Sequence, residues 1–524
     1  MRDLVCAVDV GTGSARAGLI DRTGRLYARN EHPIVMNRPR ANHAEHDSQD
    51  IWQAVCRAVR AACEAAGVGA DRVAAIAFDA TCSLVVRGAG GAQLSVSESG
   101  ESRWDTIVWL DHRALAEADE ITGGGHRVLD FLGGVMSPEM QSPKLTWLKR
   151  HLPETWEAAG HFFDLADFLT WKASGSTARS QCTVTAKWTY LAHEDGWRAD
   201  FFESLGIGDM VRRGGLPRQA TEVGAAVGRL TPQAAAELGL DESCAVGTGL
   251  IDAFAGALGT IGGFPSGEIG RHVALIAGTS SCLMGMDPSM RPISGLWGPY
   301  YGAAIPGLWL WEGGQSATGA LLDHIIRMFG GGREPDAATH RDIAGRVAEL
   351  RAAEGVDFAA GIHVLPDFHG NRSPYADPHP RGAITGLSLD YSFDNLCRVY
   401  WRTAVAIALG LRHILDHLAA NGQEIDTLHV TGGHRRNPLL MELYTDATGR
   451  SVHEPRTEDA VLLGTAMAAA AAAGWFPSLQ ESCRAMQAPA DVRKENPANA
   501  ARYERDYRVF LKLQNEQRAL EALA

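Results

Sequence analysis

Leu4 to Val10 is an apolar run broken only by Asp9, and apolar character resumes at Ala17 to Ile20 after the polar turn Gly11-Thr12-Gly13-Ser14. This pattern predicts two buried strands joined by a hairpin with a glycine-rich tip. Asp21 to Arg25 reads as another tight turn, and Leu26 to Val35 as a third, antiparallel strand. From Ile51 to Ala66 the spacing turns helical: Val55, Val59 and Ala62 share a face, Cys56 and Cys63 fall near it, and Asp47 or Ser48 stands where an N-cap belongs. Val73 to Phe78 is a short buried strand that ends in Asp79, Thr81, Cys82 and Ser83. A second strand end follows at Trp109, Asp111, His112 and Arg113. Polar residues at strand ends commonly line a crevice.

Between about Gly123 and Gly239 the periodicity gives way to loops, aromatics and short helices, which reads as an insertion capping a first domain. Within it Lys187 precedes Trp188 and Tyr190, either as a snorkelling surface lysine or as a ligand contact. Asp252 then opens a helix of small residues, as an N-cap or as something more. The opening pattern returns at Val273 to Ser281, where Gly278-Thr279-Ser280 follows an apolar strand and Ile276 stands in the place of Asp9. An aromatic strand containing Glu312 runs on to Gly319, and Gly382 to Gly386 leads into a long helix from Phe393 to about Ala420. Leu428 to Thr431 is a strand running into Gly432, Gly433 and Asn437. Ala460 to Trp475 reads as a tightly packed alanine helix, and Tyr503, Tyr507, Phe510 and Gln514 place a docking helix in the tail.

A chain of 524 residues exceeds one core, and the repeat suggests a duplicated domain whose halves face each other across a ligand. We expect a first domain over 1–265 with a cap at about 123–239, a second over 266–480, and a helical tail over 481–524. The formal net charge of −13 argues against nucleic acid as a partner. Nine cysteines without C-x-x-C spacing point to core thiols in a reducing compartment and away from structural zinc. The first strand begins with no leader ahead of it, and the alanine run is too short to span a bilayer, so the expectation is a cytoplasmic protein without a membrane partner. His43, Glu45, His46 and Asp47 cluster in sequence, and helix capping explains them better than a metal.

The chemistry lies in the turns. Backbone N–H groups and hydroxyls at such tips suit phosphate oxygens, and a buried Asp9 calls for a cation such as a hydrated Mg²⁺ carried by a nucleotide. With one acid for two turns, metal and chemistry belong to the first half. Five stretches in this order resemble the FGGY family of carbohydrate kinases: the Asp9-x-Gly-Thr-x-Ser turn, Gly-x-x-Asp252, Gly278-Thr279-Ser280, Gly382-x-x-x-Gly386 and Thr431-Gly432-Gly433-x-x-x-Asn437. The likeness spans about residues 3 to 475 and is weaker around 320–360. It implies an α/β fold of two RNase-H-like domains, of the actin and hexokinase type, facing each other across a nucleotide cleft.

The resemblance also implies ATP held by Gly11, Thr12, Gly13, Ser14, Arg16, Gly278, Thr279, Ser280, Gly319, Gly432, Gly433 and Asn437. It implies Mg²⁺ near Asp9, with Asp252 as a second candidate ligand, and Asp252 as general base toward a sugar hydroxyl. Thr81-Cys82-Ser83-Leu84-Val85 is similar to the signature of D-ribulose kinases, and Trp109, Lys187 and Glu312 match ketopentose contacts of ribulokinases. Asp79 and Asp111 complete the expected sugar site. The reading is an ATP-dependent ketopentose kinase acting on D-ribulose, with L-ribulose, xylulose or ribitol as alternatives and a homodimer as a compatible assembly. A nucleotide-driven switch of the actin or chaperone kind is the alternative from another class.

Overall fold

The computed structural model describes residues 2–523. Five strands form the body of the seven-stranded first sheet, β1 (Leu4–Val10), β2 (Ser14–Asp21), β3 (Leu26–Pro33), β4 (Val73–Ala80) and β5 (Ala245–Gly247), with Ala226–Arg229 beyond β5 at the edge and Leu250–Ile251 paired with β4. They lie in the order β5-β4-β1-β2-β3. The three N-terminal strands are antiparallel, while β4 runs parallel to both β1 and β5. The second sheet repeats this plan with β6 (His272–Ala277), β7 (Ser281–Asp287), β8 (Trp309–Gln315), β9 (Thr427–Thr431) and β10 (Ser451–Pro455), in the order β10-β9-β6-β7-β8. Again the first three are antiparallel and β9 is parallel to β6 and β10. The duplicated turn motifs are thus equivalent β1–β2 and β6–β7 hairpins.

Helix α1 (Ser48–Ala66) crosses from β3 toward β4. Asp47 is its N-cap, accepting from the N–H groups of Gln49 and Asp50, and Glu45 is held by Arg113, so these two acids of the cluster serve structure. Two insertion helices matter for the site, α2 (Gln141–His151) and α3 (Gln181–Lys187). The insertion is not all loops and helices: its strand Ala159–Asp164 pairs with Leu84–Gly88 in a separate small sheet. The remaining framework helices are α4 (Asp252–Ile261), α5 (Gly319–Phe329), α6 (Phe393–Ala420), α7 (Ala460–Ala472) and α8 (Ala500–Glu521).

Helices α4 and α7 form the layer between the sheets, and each crosses to the other half. α7 lies on β1 and β4, whereas α4 lies on β6. Ala466, Ala468, Ala469 and Ala470 are fully buried, which explains the alanine run: only small side chains let this helix pass between two sheets. The longer apolar helix is α6, which by length and composition alone could cross a membrane. Its apolar face is buried in the core of the second half, with Val399, Tyr400, Trp401, Val405 and Ile407 inaccessible. On α8, Tyr503, Tyr507, Phe510 and Gln514 are buried as their spacing predicted.

Candidate active site

At each hairpin tip the glycine N–H closes the turn, over three residues in the first and two in the second. Gly11 N–H donates to Ser14 O at 3.0 Å, and Gly278 N–H donates to Ser280 O at 2.8 Å. The second tip is braced from behind: Thr318 N–H donates to Thr279 O and Gly319 N–H to Gly278 O, both at 3.0 Å, at the start of α5. His434 Nε2 donates to Gly278 O at 2.8 Å while its Nδ1 accepts from Tyr444. Burial pushes that imidazole down to about 4, so it stays neutral as a fixed donor. Gly432 closes this end with φ +87°, and a Cβ there would strike the Ala277 carbonyl, so only glycine fits. Gly433 follows it, but Asn437 is already engaged: Oδ1 caps the helix Pro438–Asp446 and Nδ2 donates to Tyr400 at 3.1 Å. At the first tip, Thr12 Oγ1 accepts from Trp109 Nε1 at 2.9 Å and Ser14 Oγ donates to Glu31 at 2.6 Å, leaving Gly13 exposed at the apex.

Behind the first tip lies a cluster of acids. Asp9 and Asp79 are direct register partners on β1 and β4, and both are fully buried. Asp79 therefore faces Asp9 rather than a sugar crevice, and its Oδ2 accepts from Thr465 of α7. This corrects the expected sugar contact: β4 delivers Asp79 one residue short of the strand end. Arg16, expected among the nucleotide contacts, pairs with Asp9 and lies 3.5 Å from Asp459, the N-cap of α7. Asp252 is the first residue of α4, not its N-cap, which is Ile251; Asp252 Oδ1 accepts from Ala253 N–H at 2.7 Å.

Burial raises Asp9 to about 7 against the pull of Arg16, with Asp252 and Asp459 pushing the same way as burial. Burial and Asp9 hold Asp79 well above the carboxylate range. Burial also raises Asp252, opposed by the Ala253 N–H and then by Lys187. Oδ1 of Asp9 and Oδ1 of Asp79 are buried without a hydrogen-bond partner, whereas Oδ2 of Asp9 meets Arg16. Such orphaned acceptors are costly in a folded chain, and hard oxygen donors of this kind fit a divalent cation.

The residues expected to contact a sugar lie on separate parts of the chain. Thr81 and Ser83 hydroxyls are 3.1 Å apart, and Ser83 Oγ accepts from Trp109 N–H at 3.1 Å, so these strand ends brace each other. Burial raises the Cys82 thiol to about 12, which keeps it un-ionised. Lys187 of α3 and Glu312 of β8 are 3 % and 4 % exposed and come within 3.9 Å of each other. Asp111 does not join them. Its Oδ1 takes Arg113 N and Nε, and its Oδ2 takes Ala44 N and Arg113 Nη2, which exhausts the carboxylate in holding a loop. Two residues that sequence reasoning missed contact members of this set. Arg372, in the polar Gly-Asn-Arg-Ser-Pro turn, pairs with Glu312, and the fully buried Lys144 of α2 donates to Val108 O and Trp109 O at 3.1 and 3.3 Å.

The N-terminal domain of the FGGY family of carbohydrate kinases matches residues 4–259, and its C-terminal domain matches residues 273–473. An FGGY carbohydrate kinase domain-containing protein of Homo sapiens is 42% identical over 98% of this chain and 97% of its own length. A D-ribulokinase of Saccharomyces cerevisiae is 36% identical over 98% of this chain and 77% of its own length. The crystal structure of a xylulose kinase from Rhodospirillum rubrum shares the fold, with a TM-score of 0.81 at 23% identity over 99% of both chains. These matches set aside the nucleotide-switch alternative. With both domains matched in order on a duplicated actin and hexokinase-like frame, the chain belongs to the FGGY family of carbohydrate kinases and is a sugar kinase that uses ATP.

Proposed function

We propose that this kinase phosphorylates D-ribulose to D-ribulose 5-phosphate. The observation that carries the choice of sugar is the 36% identity, over 98% of the chain, to a protein that bears the name D-ribulokinase. The stretch Thr81 to Val85 supports it.

In this reading the first half, to about residue 265, holds the sugar, and the second half, over about 266–480, holds the nucleotide. Lys187, Glu312 and Trp109 orient the sugar, with Thr81, Cys82 and Ser83 forming the wall behind it. The tips at Gly11 to Ser14 and Gly278 to Ser280 face the phosphates, Arg16 adds positive charge there, and Gly319, Gly432, Gly433 and Asn437 border the adenosine. Asp252 accepts the proton of the attacking hydroxyl. A sugar hydroxyl ionises far above neutrality, so attack on the γ-phosphorus needs an acceptor for its proton as the bond forms. Burial supports this role, because a carboxylate whose proton affinity is raised is a stronger base. Asp9, with Asp252 beside it, would hold Mg²⁺, and the unpartnered Oδ1 of Asp9 is the reason. Bound there, the ion supplies charge neutralisation on the transferring phosphoryl group.

A coupled ADP-release assay over ketopentoses and pentitols tests the choice. D-Ribulose should give a higher kcat/KM than L-ribulose, D-xylulose or ribitol, and a clear preference for any of those three overturns it.

A further inference from the structure

Glu312 is the meeting point of two cations from distant parts of the chain. Arg372 Nη2 pairs with its Oε1, and Arg372 Nη1 reaches Cys282 Sγ at 3.5 Å. Lys187 Nζ stands 3.9 Å from the other oxygen, Oε2. Both cations lie over the ring of Trp297, Nζ at 4.5 Å and the guanidinium carbon at 4.7 Å from its centroid. Trp297 is itself the cross-strand neighbour of Glu312, so one aromatic ring fixes the level of all three charges.

The spacing of Lys187 and Glu312 is too long for a hydrogen bond, although both side chains are almost fully buried. Buried opposite charges that stop short of a hydrogen bond forgo the contact that offsets their desolvation. Arg372 engages the carboxylate at Oε1, which leaves Oε2 facing Lys187 at 3.9 Å without a hydrogen bond. We propose that Arg372 is a positioning residue that holds open, between Glu312 Oε2 and Lys187 Nζ, a slot for one hydroxyl of the sugar. That hydroxyl donates to Glu312 and accepts from Lys187. Carbonyl and carboxylate oxygens only accept, so they satisfy Lys187 and are repelled by Glu312; the slot selects a hydroxyl. The proposal rests on Lys187 and Glu312 being sugar contacts.

The test is steady-state kinetics of Arg372→Met, Arg372→Lys, Glu312→Gln and the Arg372→Met/Glu312→Gln pair, using whichever sugar the wild type phosphorylates best. A different preferred sugar then overturns only the D-ribulose assignment. Arg372→Met should raise the sugar KM about 10- to 100-fold, the effect of losing one charge-assisted hydrogen bond. At saturating sugar kcat should stay within about threefold, and the KM for ATP should not move. Arg372→Lys should recover part of the loss, and the pair should be no worse than its weaker member, because both act on one slot. If Arg372→Met does not melt like the wild type, Arg372→Gln carries the same expectation. An unchanged sugar KM in the folded Arg372 variants, with Glu312→Gln impaired, overturns the positioning role alone. An unchanged sugar KM in Glu312→Gln overturns the sugar-contact reading as well.

Discussion

Gly259 of α4 and Gly464 of α7 touch backbone to backbone where the two helices cross, and a Cβ built on either would lie 2.7 Å from the amide nitrogen of the other. Each helix belongs to one half by sequence and packs on the sheet of the other, so this crossing sets how the halves meet. Gly464→Ala should force the helices apart and cost about 1–3 kcal/mol of stability, with a loss of turnover larger than the unfolded fraction explains. Thermal melting and kcat on the same preparation check this; wild-type values for both would mean the crossing is loose.

The same helix layer leads to a prediction about closure. A phosphoryl donor must be kept from water while the sugar is admitted. Sugar together with a non-hydrolysable ATP analogue should reduce the radius of gyration in small-angle scattering. Identical curves with and without both ligands would contradict closure.

Acid should destabilise the protein through three histidines behind the linker from α4 to β6. His272 Nδ1 and His429 Nε2 are 2.9 Å apart, His453 lies 5.0 Å from His429 between ring centroids, and Phe264 stacks on His272 at 3.8 Å. Asp426, Glu268 and Arg271 are the charged groups around His272. Burial, then the two neighbouring imidazoles, pushes His429 down to about 2, and burial lowers His272 and His453 as well. An unfolded histidine takes its proton near pH 6.5, above the folded value, so this stability is present above about pH 6.5 and is lost as pH falls. His429 alone should cost about 2 kcal/mol between about pH 7 and about pH 5. Melting curves of wild type and His429→Gln over that range check it: the variant should lose less stability on acidification, and parallel losses would contradict the assignment.

Lys144 deserves a direct substitution because the strand end that carries Trp109 hangs on it. Its ammonium is fully buried and donates to the carbonyls of Val108, Trp109 and, at 3.4 Å, Glu139. Lys144→Met keeps the stem and strands these acceptors, so it should cost about 1–3 kcal/mol and raise the sugar KM. An unchanged sugar KM in a destabilised but folded variant would detach Lys144 from the site.

The framework was legible because it rests on local pattern. A buried strand, a Gly-Thr turn and a second strand occur twice, and each occurrence became the first hairpin of a sheet. Asp47 was readable as a cap for the same reason, since the cap and the N–H groups it serves are neighbours in the chain. Asp79 and Asp111 were misread because their partners are remote. Asp79 is met by Asp9 and by Thr465 of a helix from the other half, and Asp111 by Arg113 and the backbone of Ala44. Arg372 was invisible because nothing within its turn distinguishes it; only the folded chain brings it to Glu312.

Asp252→Asn tests the central claim most directly. Asp252 is not an N-cap, and its one hydrogen bond, from Ala253 N–H, can be kept by the amide oxygen of Asn, so the fold should survive. The substitution removes the proton acceptor and the charge together. The measurement is kcat for the preferred sugar at saturating Mg-ATP, with nucleotide binding and melting temperature recorded on the same sample. The account predicts a folded protein that binds Mg-ATP and turns over at least about 10²-fold more slowly. Near-wild-type kcat in a folded Asp252→Asn protein would contradict it and leave the transfer without a base.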